Sequence, residues 1–124
     1  MGRVLLVAAF GAAGAVSRYA VDGLFAEASG GRFPVGTLAI NVVGSFALGL
    51  LVAVTTERLL LDPEWRIALG VGFLSAFTTF STYTYDTIRL AEASQWGLAL
   101  ANAFGMLALG LAAAFAGLAL GRAI

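Results

Sequence analysis

The sequence predicts an all-α membrane protein: a single domain of four transmembrane helices, the third of them broken. Composition is the first observation. Hydrophobic residues make up 60% of the 124-residue chain and charged residues 11%. A water-soluble domain carries about 25% charged residues, so this chain lacks the side chains to coat a water-facing surface. Second, the chain holds 16 glycines, a usage suited to helices packing in lipid. Third, the charges are spaced to leave four apolar stretches, each near the roughly 20 residues a spanning helix needs.

The first stretch runs from Val4 to Val21 and contains one charge, Arg18. Its basic start, Met1-Gly2-Arg3, would also suit a cleaved leader, but Gly11, Gly14 and Arg18 interrupt the run where a leader should be most apolar. The second stretch, Phe33 to Thr56, has no charge, and the third lies between Arg66 and Asp86. The fourth, Ala93 to Gly121, is long enough to span with tilt. Turn chemistry separates them: Asp22 to Arg32 with Ser29-Gly30-Gly31, Glu57 to Arg66 with Asp62-Pro63, and Ile88 to Ser94. The expected helices are therefore about 3–25, 33–57, 66–90 and 94–122 of one domain, 1–124.

Residue absences exclude function classes. A formal net charge of zero argues against a nucleic-acid partner. Cys, His and Lys do not occur, which removes thiolates, the commonest metal ligand, the usual general base and any Schiff base. Hydrolytic triads and most metalloenzymes fall with them, so the chain is not expected to be an enzyme. Proton-coupled exporters need an acid deep in a span. The second and fourth stretches have none and the other two reach theirs only at the end, which disfavours a small multidrug-type transporter.

Orientation is weakly instructed. Four spans put Arg3, Arg58, Arg66 and Arg122 on one side, against Arg32, Arg89 and the nearby Arg18 on the other. Either one terminal arginine decides, with both termini inside, or the chain inserts both ways up and pairs antiparallel.

Small residues recur every fourth position: Asn41, Ser45 and Gly49 on the second helix, then Gly97, Ala101 and Gly105, and Ala113, Gly117 and Gly121 on the fourth. Such faces let backbones approach closely in lipid. An amide at mid-span must be satisfied, so Asn41 is either interhelical glue or a ligand group. In the third stretch, residues 75–85 alternate hydroxyls with aromatics, which weakens a helix because hydroxyls compete for the backbone. A break is expected around Ser75 to Thr79. Broken spans expose carbonyls that take cations and helix N-termini that take anions. Arg18 either snorkels, with Asp22 one turn on as a candidate partner, or faces a water-filled vestibule where it attracts anions.

Three segments carry a family resemblance: Gly11 to Tyr19, Gly36 to Phe46 with Asn41 at its centre, and Thr78-Thr79-Phe80-Ser81-Thr82. In order and at fitting spacing, they resemble the signatures of the Fluc (CrcB-type) fluoride channels. The resemblance implies an antiparallel, dual-topology dimer of four-helix subunits with two narrow pores, passing fluoride passively out of the cytoplasm across the inner (plasma) membrane. It implies a central structural sodium ion held by the Ser75 and Thr78 carbonyls. Phe80 and Tyr83 would line the pores, Asn41 would donate to the ion, Ser81 and Thr82 would sit beside it, and Arg18 would lie near a vestibule. Physically, fluoride holds its water tightly, so a pore must replace that water with N–H, O–H and ring-edge hydrogens. A buried cation adds a fixed positive charge.

The chain departs from the family pattern at Tyr83, where a second phenylalanine is usual, and at Ser75-Ala76, where glycines are usual. The fourth-helix face that normally carries hydroxyls reads Asn102, Met106, Gly110, Ala114, with Asn102 its only polar member and so the pore residue expected on that helix. A homodimer is the expected assembly. The alternative is a non-conducting subunit in a heterodimer with a related chain.

Overall fold

The computed structural model describes residues 1–124, and all of its regular structure is helical. Helix α1 spans Gly2–Ser29, α2 Val35–Glu57, α3 residues 66–77, α4 Phe80–Glu92 and α5 Trp96–Ala123. Together α3 and α4 make the third span, so four apolar spans of 28, 23, 27 and 28 residues result. At 1.5 Å per residue the shortest is about 35 Å long, enough to cross a bilayer's hydrocarbon core. Only 20 of the 124 residues are buried, and most large apolar side chains face outward. That arrangement is unfavourable in water and neutral in lipid, which identifies a multi-pass membrane protein.

Helices α1 and α4 end later than expected, at Ser29 and Glu92 rather than about 25 and 90, whereas α2 and α5 begin two residues later, at Val35 and Trp96. Helix α1 continues past Asp22 to Ser29 because Leu24 to Ala28 are mostly good helix formers, and it stops where Gly30 adopts a left-handed φ of 65°. Helix α4 likewise runs to Glu92, ending before Ser94 at φ 58°. Charged positions at these ends lie beyond the apolar zone, so they end a hydropathy run without ending a helix.

Helices α2 and α5 form the closest pair. A Cβ on Gly49 would strike the Ala114 carbonyl, and one on Gly117 the Phe46 carbonyl, so the two backbones touch. The small-residue face of α5 is used only in its C-terminal half, since a Cβ on Gly97 or Gly105 would meet open space. Helix α3 packs on α1, whereas α4 packs on α5. The interruption between them carries the third span from one neighbour to the other.

Candidate functional site

Two residues make the interruption. Thr78 (φ −80°, ψ 159°) and Thr79 (φ −151°, ψ 122°) are extended, between the α-helical turn Ser75–Phe77 and the start of α4. Ser75 itself is still helical, so the break is narrower than the expected Ser75 to Thr79. The residues before it are loosely wound. Through Arg66–Leu74 the backbone bonds five residues back, and the Ser75 N–H reaches the Gly70 carbonyl. The Ser75 and Thr78 hydroxyls bond back to Val71 and Leu74, competing with the ladder as hydroxyls do.

Asn41 holds the break open. Its Nδ2 donates to the Thr79 carbonyl at 2.8 Å, and its Oδ1 accepts the Thr79 N–H at 2.8 Å. This two-bond clamp gives a mid-membrane residue the partners that a helix would otherwise supply. The same Nδ2 donates to Met106 Sδ at 3.2 Å, so neither amide hydrogen is free. Because Thr79 presents one donor and one acceptor, the orientation of the amide is fixed. Opposite, Gly44 leaves room for the Thr78 methyl, where a Cβ would collide.

The two sides of the break differ in polarity. Thr79 N–H goes to Asn41, so the Ser75 carbonyl loses its helical donor. The Thr78 carbonyl receives only Arg18 Nη1, at 3.5 Å. Neither carbonyl has a backbone donor, and both sit at a helix C-terminus, where a cation is favoured. On the other side Thr79 caps α4: its Oγ1 accepts the Thr82 N–H at 3.2 Å and lies 3.1 Å from Thr82 Oγ1 and 3.3 Å from Ser81 Oγ. A helix N-terminus with hydroxyls around it favours an anion.

A groove of about 830 Å³ opens along α2, α3, α4 and α5, with Asn41, Thr79, Phe80, Tyr83 and Met106 on its walls. A smaller crevice of about 250 Å³ lies between α1 and α2, lined by Arg18, Asp22, Thr37 and Thr82 among others. Thr79 borders both. Arg18 turns toward the break and forms no ion pair with Asp22, the partner expected for it.

The aromatic pair stands at the groove mouth. The Phe80 and Tyr83 rings lie 5.7 Å apart, tilted by 54°. Phe80 is 76% exposed. The Tyr83 hydroxyl is tied to the Ala103 carbonyl at 2.6 Å, fixing the ring against α5. Asn102 lies apart from both cavities, fully buried in the α4–α5 seam. Its Nδ2 donates to Thr87 Oγ1 at 2.9 Å, and its Oδ1 has no partner. The structure thus brings together Asn41, Ser81, Thr82, Phe80, Tyr83, Ser75, Thr78 and Arg18 around one break, and leaves Asn102 outside.

Thr79, Gly44, Thr37 and Met106 were not singled out as site residues from the sequence. A Thr followed at the second and third positions by Ser81 and Thr82 is an N-cap pattern, which could have marked Thr79. Thr37 is buried and donates to Asp86 Oδ2 at 3.4 Å, a long-range pairing without a local signal.

Residues 5–118 match the family model described as CrcB-like protein, Camphor Resistance (CrcB). A curated relative from Maridesulfovibrio salexigens is 42% identical over all of this chain and 98% of its own length. One from Acidobacterium capsulatum is 44% identical over 98% of both chains, and one from Nitratidesulfovibrio vulgaris 41% over the whole of both. Each of the three carries the name Fluoride-specific ion channel FluC.

Proposed function

The chain belongs to the CrcB-like family, and from that membership we propose that it is a fluoride-selective ion channel subunit, not an enzyme, through which fluoride leaves the cytoplasm passively. The observation that carries this reading is the break, where hydrogen-bond donors and ring edges border a groove in a fold shared along its whole length with channels of that name.

Arg18 draws the anion into the α1–α2 crevice, where a guanidinium in a low-dielectric wall raises the local anion concentration. From there the Thr79 region leads to the groove. Ser81 and Thr82 hydroxyls, the N-terminus of α4 and the Asn41 amide replace water on an ion too strongly hydrated to be stripped without compensation. Phe80 and Tyr83 add the positive edges of their rings. Larger, softer anions gain less from such small, hard donors, which is the basis of selectivity.

A second copy, inserted antiparallel, covers the groove and the exposed Phe80. The near balance of arginines between the two ends supports insertion in both orientations. The Ser75 and Thr78 carbonyls fit a sodium ion, because the break leaves them without backbone donors, and those of two copies together would hold it. Bound there, it supplies a fixed positive charge beside the anion path. The assembly belongs in the inner (plasma) membrane. One observation favours a second reading, a subunit that conducts only beside a related chain: the groove wall of α5 carries Met106, Gly110 and Ala114, none with a hydroxyl.

Efflux from liposomes holding this chain alone, followed with a fluoride electrode and then with a chloride electrode, tests the proposal. Fluoride release without chloride release is expected. Silence for both would remove the homomeric channel, and equal release would remove the selectivity.

A further inference from the structure

Met106 is 6% exposed, lines the groove, and points its thioether at Asn41 Nδ2 from 3.2 Å. The other amide hydrogen of Asn41 is committed to the Thr79 carbonyl, in a clamp that holds the break. Asn41 can therefore offer a passing anion one hydrogen only, and Met106 sulfur already accepts it. Sulfur is a weak acceptor and Met a flexible side chain with three rotatable bonds, so this contact is easily exchanged. The Thr79 contact is not, because losing it would leave a backbone carbonyl unsatisfied at membrane depth.

We infer that Met106 is a positioning residue that sets the fluoride affinity of the site: its thioether occupies the second Asn41 N–H in the ion-free channel and must swing aside for fluoride to take that hydrogen. This rests on the fluoride-channel reading and adds to it a built-in competitor for the ion. The exchange is between two acceptors of one donor, so no proton moves. A small hard anion displaces a thioether readily, whereas an anion too large to fit the vacated position leaves the sulfur in place. Met106 thus acts on affinity for the ion rather than on the shape of the path.

The chain has two methionines, Met1 and Met106, and Met1 lies at the exposed end of α1. Global replacement of methionine by norleucine is thus in effect a single change, a methylene for the Met106 sulfur in the same shape. Efflux from liposomes at graded fluoride gives a half-saturating concentration and a maximal rate. The norleucine protein should half-saturate at about threefold lower fluoride, the factor a weak hydrogen bond to sulfur is worth, with the shift in half-saturation and not in maximal rate. Met106→Leu, which also lacks an acceptor, should move the same way. Selenomethionine keeps an acceptor and should track the native thioether. Norleucine and selenomethionine moving together, or no shift with norleucine in a conducting protein, would overturn the inference and leave the channel reading intact. A native chain with no fluoride flux would remove both.

Discussion

At the scale of single residues, Asn41 has the most to lose. In Asn41→Asp, Thr79 N–H keeps its acceptor, but a carboxylate oxygen now faces the Thr79 carbonyl that the amide nitrogen served. Breaking a buried hydrogen bond this way costs about 1–3 kcal/mol, and the new charge repels an anion. Lower thermal stability in detergent and loss of fluoride flux are expected; an unchanged melting temperature would mean that the clamp is not structural. Tyr83→Phe removes the bond to the Ala103 carbonyl but keeps the ring, so a loss of about 0.5–1.5 kcal/mol is expected with flux at or above the native rate. A collapse of flux would show that the hydroxyl, not the ring, matters at that position. Both residues stand out in the sequence, Asn41 from its place in a charge-free span and Tyr83 through the family resemblance. Their partners do not, because Met106 and Ala103 lie 65 and 20 residues away and meet them only through helix packing.

At the scale of elements, the broken third span was readable because its hydroxyls and aromatics oppose a continuous helix. Its position was less so. The hydroxyls of Ser75 and Thr78 bond back within the helix, and the chain leaves helical geometry only where Asn41 captures Thr79. The C-terminal ends of α1 and α4 lie a few residues past the expected ones for another reason: charges end an apolar run, whereas backbone bonds continue to a left-handed residue such as Gly30. The tight fit of Gly44 on the Thr78 methyl makes the break testable. Gly44→Ala overpacks it and should cost about 1–3 kcal/mol. Gly97→Ala, in open space on α5, should gain up to about 1 kcal/mol from helix propensity. Thermal unfolding of the two variants checks the opposite signs; a shared sign would refute the close contact at the break.

At the scale of the whole molecule, the four spans were legible because lipid imposes one simple demand, a long apolar stretch per crossing. The pairing of spans was not, since it depends on where small residues meet. The end bearing both termini is tied by ion pairs, Arg3 with Glu64 and Arg122 with Glu57, each at 2.6 Å. These pairs are exposed and add little stability. Orientation follows the count of arginines rather than net charge, so these pairs leave the four-against-three balance between the two ends as it stands. Labelling of a cysteine added at the C-terminus should therefore report both orientations, and two arginines inserted after Glu57 should force one and lower flux. A single orientation in the native chain would exclude the antiparallel dimer. The central claim is that fluoride passes the break along the edge of Phe80. Its most direct test is fluoride efflux from liposomes containing Phe80→Ile, which stays apolar but loses the positive ring edge. Flux should fall to a small fraction of native while the protein elutes and melts as a folded dimer; efflux at the native rate from that folded dimer would contradict the claim.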